Sequence, residues 1–296
     1  MNAADINKIL PPPRIRRGSR VAVFAPSGAV TWSRLAKGLR CLEAWGLFYD
    51  LSPGIFFKHH YLAGKDAFRA GFLLERLLSG TYDILWAARG GYGSVRLLPF
   101  LENAPGPPKT ACWVIGFSDV SILLNYFALK WGLPCLHAPV IASLMDTSLG
   151  ALASLRAVLW QHQEIRLGGT PWRLGKAKGP LVGGNLVSLM SLLGTPWFPE
   201  LSGKILFLEE VNESTYRVDR LFTQLYLSGK LKGVKGMVLG SFIGVDPKRL
   251  REIVLSIFQG PVLASLPCGH TIQNYPLLIG QQAFIDGEMF FQQVNL

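Results

Sequence analysis

Three apolar runs in the first half of the chain each end in a turn of small residues, and helix-like stretches separate them. Val21-Ala22-Val23-Phe24-Ala25 ends in Pro26-Ser27-Gly28. Tyr82-Asp83-Ile84-Leu85-Trp86-Ala87 leads to Arg89-Gly90-Gly91-Tyr92-Gly93. Ala111-Cys112-Trp113-Val114-Ile115 leads to Gly116-Phe117-Ser118-Asp119. Apolar spacing predicts helices over about 32–45, 66–78 and 120–130. Continuous apolar runs suit strands buried on both faces. Strands alternating with helices imply a parallel sheet with helices on both sides. Ligands of such sheets gather at the carboxyl ends of the strands, so these turns converge on one candidate site.

Ser118 is the reactive group in these turns. Placed between a strand and a helix, its oxygen projects above the sheet edge, where the helix N-terminus favours developing negative charge. The ordinary role of Ser and Asp here is helix capping, because their oxygens accept orphan backbone N–H bonds. Gly116, two residues before Ser118, suits a cramped turn. A hydrolase reading requires a base and an acid from elsewhere.

At 296 residues and 49% hydrophobic content, the chain can bury more than one core, and two domains are expected. No apolar run reaches the ~18 residues needed to span a membrane. The segment Met1 to Leu10 lacks the apolar stretch of a secretory signal, so a cytoplasmic protein without membrane association is expected. Cys41, Cys112, Cys135 and Cys268 form no C-x-x-C pair, which leaves zinc-ribbon and thioredoxin-like chemistry unsupported. Cys268 stands out by lying two residues before His270. The net charge is +11. Its basic residues are scattered beyond Arg14, Arg16, Arg17 and Arg20, with no nucleic-acid-binding signature. The charge implies a bias toward anionic small ligands rather than a nucleic-acid partner.

The pattern lapses over 164–179, where glycines and Pro171 alternate with basic residues, and this stretch reads as a linker. It divides an N-terminal α/β domain, 1–163, from a C-terminal domain, 180–296. Beyond it, the strand-like Ile205-Leu206-Phe207-Leu208 runs into Glu209-Glu210. Period two places Glu209 with Ile205 and Phe207, and Glu210 on the opposite face. The plain alternative is a strand leaving into water with two exposed acids. Glu213 and Asp219 read as capping or ion-pairing residues. Of five histidines, His270 in Pro267-Cys268-Gly269-His270 follows an apolar strand and sits beside a glycine, as a loop presenting a ring closely requires. His137 is a possible pocket wall, and His59 and His60, being adjacent, would not share a metal. No H-E-x-x-H or comparable metal spacing occurs.

Five segments together resemble the LD-carboxypeptidases, the serine peptidases that include muramoyltetrapeptide carboxypeptidase and the microcin C immunity peptidases. They are Ala88-Arg89-Gly90-Gly91-Tyr92-Gly93; Ile115-Gly116-Phe117-Ser118-Asp119; Gly183-Gly184-Asn185-Leu186; Leu206 to Glu210 with Tyr216-Arg217-Val218-Asp219-Arg220; and Gly269-His270. Each is weak alone, and all five in order are specific. The resemblance covers the chain from about Arg20 onward. It implies a flavodoxin-like N-terminal domain with a parallel sheet, joined to a smaller β/β/α C-terminal domain. It also implies a Ser118–His270–Glu209 triad, with the backbone N–H groups of Gly91 and Asp119 as the oxyanion hole. Arg89, Gly90, Tyr92, Gly183 and Asn185 are assigned to substrate binding, Arg89 as a partner for a terminal carboxylate. The implied reaction releases D-alanine from a murein tetrapeptide during peptidoglycan recycling. It needs no metal or other cofactor. The partners are a small peptide substrate and, in a homodimer, a second copy. Glu210 stands where relatives often carry Asp, and Cys268 occupies a variable position. Both bear on substrate choice.

Three other readings are weighed against this one. An immunity-type peptidase hydrolysing aminoacyl-adenylate-like conjugates would need an aromatic stacking surface in the cleft, for which Trp172 and Trp197 are candidates. A nucleotide-binding Rossmann-like protein would need G-x-G-x-x-G after the first strand, and Ala25-Pro26-Ser27-Gly28 lacks it. A catalytically dead binding module fits the three intact triad residues poorly.

Overall fold

A computed structural model describes residues 9–294. The Met1 to Leu10 segment therefore lies almost wholly outside the described residues. The first half follows the predicted alternation: β1 (Arg20–Phe24), α1 (Trp32–Ala44), β2 (Phe48–Asp50), α2 (Asp66–Leu78), β3 (Ile84–Ala87), α3 (Leu98–Glu102), β4 (Trp113–Gly116), α4 (Ser121–Lys130), β5 (Cys135–His137) and α5 (Leu149–Gln161). The second half contains β6 (Ile165–Gly168), β7 (Thr170–Arg173), β8 (Lys176–Asn185), α6 (Leu186–Met190), β9 (Ile205–Val211), α7 (Thr215–Leu227), β10 (Gly236–Ile243) and α8 (Pro247–Ile257). It closes with β11 (Val262–Ala264), β12 (Leu277–Ile279), β13 (Gln282–Asp286) and β14 (Met289–Gln292).

The first sheet has the order β12-β5-β4-β3-β1-β2. Strands β1 to β5 pair in parallel, in the doubly wound order 2-1-3-4-5. The side chains of β3, β4 and β5, and of β1 after Arg20, are buried on both faces, as the continuous apolar runs require, while β2 is an exposed edge. Trp86 and Trp113 lie at their centre. The buried indole N–H of Trp86 donates to the Pro139 carbonyl at 2.9 Å, so burying the ring leaves no polar atom unpaired.

The sixth strand comes from the far end of the chain. β12 pairs antiparallel with β5, Leu277 opposite His137. The C-terminal half thus contributes an edge to the N-terminal sheet. The second sheet has eight strands in the order β6-β14-β13-β8-β9-β10-β11-β7, with β8, β9, β10 and β11 parallel.

The stretch read as a linker, 164–179, is not a loop. It forms β6, β7 and the beginning of β8, and β6 and β7 are the two edges of the second sheet. Edge strands tolerate proline, as at Pro171, and carry one solvated face. Most of the glycines and basic residues that resemble a linker are therefore strand ends or exposed strand positions, while Gly179 is buried within β8.

Helix α4 explains how the halves meet. Every residue from Ser121 to Ala128 is buried, the pattern of a helix enclosed on all sides. It packs against the first sheet on one side and against β8 and α6 on the other. Asn125 on this helix donates to the Gly183 carbonyl at 2.7 Å and accepts from the Gly183 N–H at 2.9 Å. The Asn185 N–H donates to Ser121 Oγ at 3.2 Å. No helix among the described residues is long and apolar enough to cross a membrane.

Candidate active site

Ser118 occupies the turn between β4 and α4 with φ +63°, a left-handed conformation that a serine adopts at a cost. A short 3₁₀ turn over Ser118–Val120 precedes the helix, and Ser118 makes no side-chain cap. Its Oγ lies 3.1 Å from His270 Nε2. The capping role is thus set aside in favour of a hydroxyl held against a base.

His270 follows β11 on the loop leading to β12. Its Nδ1 lies 2.6 Å from Glu209 Oε2, and its backbone N–H donates to the same oxygen at 3.3 Å. Gly269 makes this fit possible. Its φ is +101°, and a Cβ there would come within 2.7 Å of Glu209 Oε2. The Phe117 ring packs against the imidazole with centroids 4.8 Å apart.

Glu209 sits at the end of β9, opposite Asn185 of β8. The period-two reading holds, because the register irregularity beside it falls between Leu239 and Phe242 on the neighbouring β10. The exposed-acid alternative fails, since Glu209 is wholly buried and Glu210 nearly so. Glu210 faces the other way and accepts from the N–H groups of Val187 and Val211 at 2.9 and 2.8 Å. Desolvation raises its pKa and these hydrogen bonds oppose the rise. It anchors the start of α6, a role absent from the sequence reading.

Ser118 and His270 share a cavity of about 750 Å³ with Arg89, Gly90 and Gly91. Gly90 lies so close to Ser118 that a Cβ would meet its Cβ at 3.0 Å and its Oγ at 3.2 Å. Arg89 donates to the Ala29 carbonyl at 2.8 Å, which holds its head beside the Pro26-Ser27-Gly28 turn. Tyr92 lies outside the cavity lining. It is exposed, with its ring 6.0 Å from that of Tyr61. Gly183 and Asn185 do not line the cavity either. They hold β8 to α4, and Asn185 also caps α6 by accepting from the Ser188 N–H at 3.0 Å.

The turns are tied together beneath the cavity. The Asp119 carboxylate accepts from Ser27 Oγ at 2.5 Å and from the Ser94 N–H at 2.8 Å. Burial pushes this carboxyl up, against the pull of those bonds. Buried Arg69 donates to the carbonyls of Pro26 and Gly93 and pairs with Asp66. Neither Asp119's side chain nor Arg69 stood out in the sequence. A serine–aspartate step at a helix start reads as capping, and an arginine in an amphipathic helix reads as solvated.

His137 is fully buried between Phe117 and Phe207, with ring centroids 5.9 and 5.0 Å away. Cys268 is buried too, and desolvation, with Glu209 nearby, holds its thiol well above the usual range. That makes it a packing residue rather than a reactive one.

The segment from residue 21 to 138 matches the LD-carboxypeptidase N-terminal domain, and 178–285 matches the LD-carboxypeptidase C-terminal domain. The chain belongs to the LD-carboxypeptidase family. It is a serine carboxypeptidase by that membership. The murein tetrapeptide carboxypeptidase of Pseudomonas aeruginosa is 33% identical, over 90% of this chain and 93% of its own. The crystal structure of muramoyltetrapeptide carboxypeptidase from Oxalobacter formigenes superimposes with a TM-score of 0.80 at 28% identity, covering 94% of this chain and 99% of that one. An MccF-like protein from Bacillus anthracis has the same two-domain fold. Its TM-score is 0.86 at 22% identity, over 96% of this chain and 99% of its own.

Proposed function

We propose that this LD-carboxypeptidase uses Ser118, His270 and Glu209 to release a C-terminal D-amino acid, D-alanine, from a murein tetrapeptide. The observation that carries the reading is the unbroken contact from Glu209 through both nitrogens of His270 to Ser118 Oγ. In this mechanism Glu209 accepts from Nδ1–H, which leaves Nε2 free to take the Ser118 proton. The Ser118 oxygen attacks the carbonyl of the L-configured residue. The N–H groups of Gly91 and Asp119 receive the oxyanion, and Arg89 receives the terminal carboxylate. His270 passes its proton to the leaving amine. Water, deprotonated by the same ring, then releases the acyl group and restores Ser118.

Nucleophile and base come from opposite halves of the chain. We therefore assign 1–163 to one domain and 180–296 to the other, with the site in the cleft between them. A cytoplasmic, homodimeric enzyme serving peptidoglycan recycling accords with this reading and with four unpaired cysteines.

The cavity favours a peptide over an aminoacyl-nucleotide conjugate. Phe117 is the one ring besides His270 that lines it among the described residues, and that ring is occupied against the imidazole. Trp172 lines a separate cavity of about 460 Å³ on the other side of the His270 loop. Trp197 donates to Glu102 at 3.1 Å. Neither candidate offers a stacking face beside Ser118.

The test offers the enzyme three compounds in parallel: a tetrapeptide ending in D-alanine, the same peptide ending in L-alanine, and an aminoacyl nucleotide conjugate. Hydrolysis of the first alone supports the proposal. Preferential hydrolysis of the conjugate overturns it in favour of the immunity-type reaction.

A further inference from the structure

The two oxygens of the buried Glu209 carboxylate are unequally used. Oε2 faces His270 Nδ1 at 2.6 Å and accepts from the His270 backbone N–H. Oε1 is buried with no hydrogen-bond partner among the described residues. A buried carboxylate oxygen left bare is costly, so a donor beside it is expected.

Strand β10 brings one alongside. Leu239 lies opposite Leu208 of β9 and Phe242 opposite Glu210, so Gly240 and Ser241 both fall opposite Glu209. An extra residue of this kind re-aims the side chains around it. Gly240 keeps the approach close: a Cβ there would meet Glu209 Cβ at 3.2 Å. Ser241 Oγ lies 2.8 Å, and Glu209 Oε2 2.7 Å, from the point that a Cβ on Gly269 would occupy. The Ser241 N–H donates to the Cys268 carbonyl at 3.0 Å, which ties the bulge to the His270 loop. Like Glu209 Oε1, Ser241 Oγ is buried and without a partner among the described residues. A hydroxyl can donate and an ionised carboxylate only accepts, so the two unused groups flanking Gly269 are complementary.

We propose that Ser241 is a positioning residue for the acid. By turning about its Cα–Cβ bond, its hydroxyl donates to the Glu209 carboxylate. That bond holds the carboxylate against His270 Nδ1 and keeps it ionised while the imidazolium forms. This rests on the triad reading above.

The experiment measures kcat, KM and melting temperature for Ser241→Ala, Ser241→Thr and Ser241→Val on a tetrapeptide ending in D-alanine. Threonine keeps the hydroxyl, and valine has its shape without the hydroxyl. Ser241 lines the cavity of about 460 Å³ beyond the His270 loop, which gives the added methyl space. Ser241→Ala and Ser241→Val should lower kcat roughly tenfold, with KM and melting temperature held, and Ser241→Thr should keep most of the wild-type kcat. In a Glu209→Gln background, Ser241→Ala should have no further effect, because no charge is left to hold. Wild-type kcat in Ser241→Ala, or the same fold loss with and without Glu209→Gln, overturns the positioning role. Impaired Glu209→Gln beside an unimpaired Ser241→Ala leaves the triad reading standing without Ser241. Undiminished turnover by Glu209→Gln removes the triad reading, and this inference with it.

Discussion

His270 Nε2 stands 3.1 Å from Ser118 Oγ although 152 residues separate them in the chain. The serine belongs to the first sheet, and the base to a loop leaving the second. Their contact survives only while the halves stay docked. Two devices hold them: β12, which joins the first sheet immediately after the His270 loop, and the Asn125 contacts that grip Gly183.

Replacing Asn125 with Ala leaves the buried N–H and carbonyl of Gly183 unpaired. The expected cost is about 3 kcal/mol, with activity falling in parallel as the contact between halves loosens. Chemical denaturation together with kcat measurement checks this. A variant of unchanged stability would show that the grip on Gly183 is incidental.

Gly90→Ala tests how tightly the nucleophile is positioned. The added methyl meets Ser118 Cβ at 3.0 Å, in a backbone conformation open to alanine. Stability should change little, while kcat/KM drops roughly 10²-fold from displacement of the hydroxyl. Steady-state kinetics beside a melting curve separates the two effects.

Glu209→Gln retains the shape of the acid but removes the charge that orients and stabilises the imidazolium. By analogy with other serine triads, kcat should fall on the order of 10⁴-fold. Glu210→Gln should instead act on stability, since that carboxylate holds the start of α6. Were Glu210→Gln to abolish turnover in a fully folded protein while Glu209→Gln left it intact, the assignment of the acid would be reversed.

His137 predicts a pH dependence of folding. Desolvation pulls its imidazole from 6.5 down to about 4, with Glu209 acting in the opposite direction. Between those values the unfolded chain binds more protons than the folded one. Stability from this group is therefore fully present above about 6.5 and declines as pH falls through the window. Wild type should lose more melting temperature between pH 7 and pH 5 than His137→Gln does. Equal slopes would remove His137 from the account.

The fold was most legible where the apolar runs were long. β1, β3, β4 and β9 declared themselves because both faces are buried, and α1, α2, α7 and α8 because one face is. β5 and β12 span three residues each, too few to show a period, so the strand exchange that docks the halves had no local signal. Ser118 and His270 stood out because glycines flank them: Gly269 takes φ +101°, and a Cβ at Gly116 would meet Val120 at 2.7 Å. Arg34, Lys37 and Asp146, which line the same cavity as Ser118, did not, since an exposed charge on a helix or turn looks the same whether it faces bulk water or a cavity. Gly183 and Asn185 share a motif with no sign of where its contacts go, and in the structure they bond to α4 rather than line the cavity.

The most direct measurement is release of D-alanine from a tetrapeptide by wild type and by Ser118→Ala, with His270→Ala alongside. The account predicts release by wild type, and loss of on the order of 10⁶-fold in each variant, as when a serine-triad member acting as a unit is removed. Release by folded Ser118→Ala at a rate near that of wild type would contradict it.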